Sequence, residues 1–365
     1  MKIKEIISYL ESVAPPFLQE HYDNAGLITG DANWECHGII CSLDATEDVV
    51  KETIEKKCNL IVAHHPIVFG GLKKINGKNY VEKTVIAAIK NDIAIYAIHT
   101  NLDNVLSGVN GKIAGMLGLK NISVLSPKEY TLKKLFTFAP ADKAELIRNA
   151  IFAAGGGHIG NYSECSFNAE GVGTFKAGTG TNPYVGKIGE RHHENEIRIE
   201  VIFPAWLEST VLEAMKASHP YEEVAYDVVS LSNDHPEIGS GVIGNLPNAI
   251  SEMEFLAQIK KIFDVPVIRH TRLLNKPIQK VAVCGGAGSF LVSKALAAGA
   301  DVYITADMKY HEFFDANDRL VIADIGHFES EQFTMDLLKE VLEQKFPNFA
   351  VLKTRLKTNP VKYFI

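Results

Sequence analysis

The segment Asn59-Leu60-Ile61-Val62-Ala63-His64-His65-Pro66 is a continuous apolar run that ends in two imidazoles and is stopped by a proline. A short apolar run bounded by a breaker reads as a strand buried on both faces, the kind found in parallel sheets covered by helices. The pattern repeats on either side. Gly38 to Asp44 is a second such run, ending in a carboxylate. Residues 46–57 carry helical spacing (Val49, Val50, Ile54) from Thr46 onward, with Glu47 and Asp48 in the first turn. A helix over 81–90 leads into a third strand, Ile93 to His99.

The C-terminal block, from about Pro236, does the same. Lys280 to Cys284 runs into Gly285-Gly286-Ala287-Gly288-Ser289 and a helix over 289–298. Asp301 to Thr305 and Arg319 to Asp324 are strands, and Glu329 to Lys345 is one amphipathic helix (Phe333, Leu337, Leu338, Val341, Leu342). The middle block, 127–236, changes character. It has glycine clusters, strands that alternate (Glu196 to Ile202), and helices near 141–153 and 208–217. Alternation marks half-buried antiparallel strands, and the order strand-helix-strand-strand-helix-strand is ferredoxin-like. The expected fold is therefore α/β. Residues 1–126 and 237–365 form a mostly parallel-sheet domain, interrupted by an inserted α+β ferredoxin-like domain over 127–236.

Composition narrows the function. The net charge of −7 argues against a protein that lives on phosphate contacts to nucleic acid. Five scattered cysteines without a C-x-x-C pair exclude a disulfide framework or a cysteine zinc knuckle and point to a reduced, cytoplasmic protein. The N-terminus places Glu5 and Glu11 among apolar residues at helical spacing, so it reads as an amphipathic helix rather than a signal peptide. No run approaches the length of a membrane span.

In open α/β sheets, ligands bind beyond the carboxyl ends of the strands. Those ends yield Asp44, His64-His65, His99 with Asp103, Asp307 with His311, and Asp324 followed by His327 and Glu331. Any one of these alone is an ordinary loop residue; imidazole and carboxylate gathered at four strand ends is the composition of a metal site. His327 and Glu331 lie one turn apart on one helix face. His64 and His65 project to opposite sides of their strand, which suits two neighbouring ions better than one. Other patterns fare worse. Cys284 to Ser289 lacks the spacing and lysine of a phosphate loop and reads as a tight strand-to-helix turn. Arg191-His192-His193-Glu194 reads as a solvated turn of a charged hairpin, and no Ser or Cys sits in a nucleophile elbow. Tyr221-Glu222-Glu223 fits a structural contact or a partner contact equally well.

Seven motifs in order carry a family resemblance. They are Asp23-Asn24-Ala25-Gly26-Leu27, Ser42 to Thr46, Ala63 to Pro66, His99 to Asp103, Cys284 to Ser289, Thr305-Ala306-Asp307 with Tyr310-His311, and Gly326-His327 with Ser330-Glu331. The chain resembles the dinuclear-metal-centre family, also called the GTP cyclohydrolase I type 2 or NGG-one-interacting-factor-three-like family. Gly160 to Phe167 and His219 to Glu223 resemble the insert of its long bacterial members, which is similar to nitrogen-regulatory PII and copper-tolerance domains. Ala306 departs from the family's usual glycine. The resemblance implies that His64, His65, Asp103, His327 and Glu331 ligate two divalent ions (Zn, Fe, Mn or Ni), with Glu331 and Asp103 as the bridging carboxylates. Asp44, Asp307 and His311 become supporting groups that orient ligands or shuttle a proton. It implies a toroidal homohexamer around an internal cavity. Its name implies a small-molecule substrate of the nucleotide kind, opened or hydrolysed by a metal-activated water. A non-catalytic metal scaffold whose insert binds a small molecule or partner is the alternative.

Overall fold

The computed structural model describes residues 1–364 and resolves into two compact units, Met1–Pro127 with Glu237–Ile365 and Lys128–Pro236. In the first unit a five-stranded sheet runs in the order Gly26–Thr29, Ala94–Ala97, Leu60–His65, Ile39–Asp44, Val351–Lys353. All pairs are parallel except the first. Leu60, Ile61, Val62, Ala63 and His64 are fully buried, as a strand covered on both faces requires. One face packs Ile40, Ile61, Ala63 and Ile95 against Val49, Val50, Val85 and Ala88 of the helices Glu47–Glu55 and Tyr80–Lys90. The other is covered by the helix Thr334–Lys345. Each such aliphatic side chain contributes roughly 1.5–3 kcal/mol by leaving water. Thr46 caps the first of these helices, its hydroxyl accepting from the Val49 N–H.

A second, six-stranded sheet follows the order Arg269–His270, Val321–Asp324, Val302–Ala306, Ile278–Ala287, Gly239–Ile250, Lys120–Pro127. It departs from the mostly parallel expectation, being parallel only among Val321–Asp324, Val302–Ala306 and Ile278–Ala287. Lys120–Pro127, with only Leu125 buried, is an antiparallel edge strand largely open to water. The expected helix over 329–345 is also corrected. It is two helices, His327–Glu331 and Thr334–Lys345, separated by a turn at Gln332-Phe333. The Gln332 amide donates to the Glu329 and Phe263 carbonyls at that break.

The second unit is a four-stranded antiparallel sheet in the order Phe167–Lys176, Arg191–Pro204, Leu132–Pro140, Tyr226–Ser230, with helices Ala144–Ala153 and Glu208–Ser218. That is the ferredoxin-like order. Ile147, Ile151, Ile199, Val201, Phe203, Val211 and Met215 form its core. The solvated turn expected at Arg191–Glu194 is instead the start of a fourteen-residue strand, paired residue for residue with Gly173–Lys176.

Candidate metal centre

The parallel register of the first sheet sets Asp44 beside His65. The His65 Nδ1–H donates to Asp44 Oδ1 at 2.8 Å, which turns Nε2 inward, to donate to Glu331 when protonated or to offer a lone pair to a cation. His64, one residue earlier, points the other way. Its Nδ1–H donates to the Ile98 carbonyl at 2.9 Å, and its Nε2 faces Asp103 Oδ1 at 3.6 Å and Glu331 Oε1 at 3.9 Å. Neither His64 Nε2 nor Asp103 Oδ1 has a hydrogen-bond partner, although both are buried. An orphaned buried polar atom costs about 1–3 kcal/mol, and here two acceptors are aimed at one point. Two acceptors so placed repel each other unless a proton or a metal ion lies between them.

His327 repeats the device. Its Nδ1–H donates to Asp307 Oδ2 at 2.7 Å, while its Nε2 lies 3.3 Å from His65 Nε2 and 3.1 Å from Glu331 Oε2. His65 Nε2 is 3.0 Å from the same oxygen. Glu331 thus spends one carboxylate oxygen on each neighbourhood. It reaches in from the short helix because the opposing backbone is Gly286, at φ +64°, where a Cβ would stand 2.3 Å from Glu331 Oε1. The Gly285-Gly286 pair is not the strand-to-helix turn the sequence suggested: it lies within the strand Ile278–Ala287, where the register with Val302–Ala306 slips, and it makes room for a carboxylate. Ala306 is a buried strand residue; Asp307 makes the turn itself, at φ +55°.

Three groups have ligand atoms that all lie within 4.8 Å of one another: His65, His327 and Glu331; His64, Asp103 and Glu331; and His64, His65 and His99. All five residues of the expected ligand set are included, with Glu331 in two groups and Asp103 in one. Asp103 is corrected in one respect. It sits on a single helical turn, Thr100–Asp103, rather than in a loop. The Asn101 and Asn104 amides pin that turn to the carbonyls of Ala14 and Leu18. Asp44 and Asp307 stand where supporting carboxylates belong. His311 does not join them. It is exposed, and its ring packs on Tyr310 and Phe314.

The charge states follow from the same contacts. Burial works against an imidazolium at His65 and His327, but Asp44 and Glu331 raise His65 to about 9, and Asp307 and Glu331 raise His327 to about 11. Burial, with the charges of His65 and His99, lowers His64 against the opposing pull of Glu331. Burial, then the Glu331 charge, pushes Asp103 well above the carboxylate range. Burial opposes ionisation of Glu331 too, yet His327, His64 and His65 hold it well below that range. The cluster therefore draws positive charge, as protons or as metal ions. The fit to divalent cations is good: imidazole lone pairs fixed by outer carboxylates, plus one carboxylate shared between two groups.

Sequence reasoning missed three contributors. His99 stood among the strand ends but outside the ligand set; its Nδ1–H donates to Asp23 Oδ1 at 2.8 Å. Asp23 also accepts from the Thr100 N–H and hydroxyl, and only its place in the first motif hinted at a role. Thr358, whose hydroxyl donates to Asp44 Oδ2, comes from a C-terminal segment with no sequence signal at all.

A cleft of about 860 Å³ opens over His65, His99, Asp103, His327 and Glu331, with Tyr22, Phe69, Tyr80 and Phe290 on its walls. Burial, then the charges of Glu20, Asp23 and Asp103, pushes the Tyr22 phenol up, so it stays protonated. A second cavity of about 380 Å³ touches His65 and His327 along with Asp44, Asp307 and Tyr363.

The model of the family Duf34/NIF3 (NGG1p interacting factor 3) matches residues 1–360. A "GTP cyclohydrolase 1 type 2 homolog" of Halalkalibacterium halodurans is 41% identical over 98% of this chain and 98% of its own length. One of the same description from Bacillus subtilis is 38% identical over 99% and 98%. The crystal structure of a Bacillus cereus protein related to NIF3 superposes with a TM-score of 0.87 at 40% identity, covering 100% of this chain and 99% of that one. No helix of the described residues is long and apolar enough to cross a membrane.

Proposed function

This chain belongs to the Duf34/NIF3 family, and on that premise we propose that it is a metal-dependent hydrolase working at a pair of divalent ions held by His64, His65, Asp103, His327 and Glu331. The observation that carries the reading is the pair of orphaned buried acceptors, His64 Nε2 and Asp103 Oδ1, grouped with Glu331, whose carboxylate also serves His65 and His327. Two ions there would bring the pKa of a water toward neutrality and polarise a substrate oxygen or ring nitrogen. Zn, Fe, Mn and Ni all suit such donors, and affinity order alone does not select among them.

The protein's own part is positioning. The Ile98 carbonyl, Asp44 and Asp307 fix the three ligating imidazoles in one tautomer and raise their basicity. Asp103, protonated by its surroundings when no cation is near, gives up that proton to become an anionic ligand. His99, clamped by Asp23 and lining the cleft, is placed to hold or release a proton at Nε2. Relatives described as homologues of GTP cyclohydrolase 1 type 2 support opening of a purine imidazole ring; phosphoester hydrolysis would use the same parts. The test is metal-loaded protein incubated with GTP and a phosphoester panel. Turnover that disappears in His64→Ala is expected; two tightly held ions with no turnover on any substrate would leave a metal scaffold instead.

A further inference from the structure

We infer that the cleft over the metal centre takes a planar heteroaromatic ring without a polyphosphate, stacked on a platform made by Phe69 and Tyr22. This rests on the proposed metal site and chooses between its two substrate classes. Phe69 and Tyr22 are each more than half exposed, large apolar groups left open to the cleft. Their rings lie nearly parallel, 27° apart, with centroids 6.4 Å from one another. Phe69 in turn meets the His99 ring edge-on at 5.8 Å, and His99 meets His65 at 5.4 Å. The platform thus begins one ring away from the ligating imidazoles.

The platform is built, not incidental. The Asn24 amide donates to the Val68 carbonyl at 2.6 Å, tying the segment that carries Tyr22 to the one that carries Phe69. Asp23, between them in sequence, is anchored by His99 and Thr100. Aromatic faces held in place at a site's edge bind bases by stacking, at low entropic cost and whatever the base.

The charges of the cleft exclude the other class. Among the described residues lining it there is no lysine and no arginine, whereas Glu20, Asp103 and Glu331 all contribute carboxyl groups. Sites that hold phosphate chains supply guanidinium or ammonium groups, or the open N–H groups of a glycine loop at a long helix. The glycine pair here instead sits in the strand Ile278–Ala287 and accommodates Glu331, with the Gly286 N–H already donating to Ser330 Oγ at 2.9 Å. With Asp103 and Glu331 spent on the ions, a triphosphate would have to rely on the metals alone, beside the Glu20 carboxylate and with no cationic side chain to receive the rest of its charge. An uncharged ring loses nothing on entering.

Calorimetric titration with guanosine, adenosine, GTP and ATP tests this, on protein with and without Zn²⁺, with bound metal counted for every sample. The expected result is that the nucleosides bind at least as tightly as their triphosphates. Phe69→Ala should weaken nucleoside binding roughly tenfold, the value of one stacked base. Tyr22→Ala should weaken it less, Phe69→Trp should keep it, and all three should hold the wild-type amount of metal. Triphosphates bound tenfold or more tightly than nucleosides would overturn the inference, as would nucleosides that do not bind or that ignore Phe69→Ala. Stacking needs no ion. Phe69-dependent nucleoside binding in a protein that retains no metal would therefore sink the proposed hydrolase while supporting the platform.

Discussion

Both units of this protein carry histidines and carboxylates close together, but they use them in opposite ways. In the ferredoxin-like unit the clustered groups are satisfied locally. His192 pairs with Glu194 at 2.8 Å on the same strand, His219 donates to the Phe138 carbonyl at 2.9 Å, and the Tyr221 hydroxyl donates to Glu196 at 2.8 Å. In the α/β unit the outer nitrogens are satisfied and the inner ones are left facing each other, with His64 Nε2 and Asp103 Oδ1 unpaired. Residue type is shared; convergence is not. A metal site is marked by acceptors that oppose one another where burial makes this costly, since a folded chain tolerates such a conflict only where something relieves it.

The largest effect expected from this contrast is at Glu331, shared by two of the groups. Glu331→Gln keeps the shape, removes the charge, and should empty both metal positions, read by elemental analysis after desalting. An unchanged stoichiometry would break the contrast at its centre. His64→Ala is next. It removes a fully buried imidazole from one group and leaves His65 and His327 in the other, so about half the metal should remain. Asp44→Asn and Asp307→Asn leave all ligands in place but loosen the imidazoles they hold. Each should weaken metal binding roughly 10–100-fold, measured by competition with a chelator.

The second unit offers the converse tests. Pro127 and Gly239 are opposed on adjacent antiparallel strands, so a short turn can replace residues 128–236. The resulting protein should fold and hold the wild-type amount of metal; an insoluble product that binds none would show that the metal site depends on the insert. The smallest effect belongs to His192→Ala, with its paired imidazole on a strand of that unit. Metal content should not change at all, and a measurable loss would mean that local pairing does not disqualify a ligand.

Much of the α/β unit could be read from its chain because a doubly covered strand has an unmistakable composition. Leu60 to His65 needs no partner to be recognised. The strand-end rule then offered His64, His65, Asp103, His327 and Glu331 within a longer list that also held Asp44, His99, Asp307, His311 and Asp324, and the family resemblance singled out those five. What escaped depends on tertiary contacts with no local signature. The single turn at Thr100–Asp103 exists because Asp23, Ala14 and Leu18, far earlier in the chain, receive its hydrogen bonds. The break at Gln332 lies inside a sequence with unbroken helical spacing and is made by a contact to Phe263. Arg191–Glu194 is polar enough for a turn, yet the register with Gly173–Lys176 carries the strand through it. His311 misled for the opposite reason: it follows a strand, but its helical segment turns it out to solvent beside Tyr310.

The central claim is that the opposed acceptors around Glu331 hold two cations. Anomalous scattering from crystals grown with Zn²⁺ tests it most directly. Two peaks roughly 3.5–4 Å apart, one beside His64 and Asp103 and the other beside His65 and His327, are the predicted result. A single peak, or none, at full metal supplementation would contradict it.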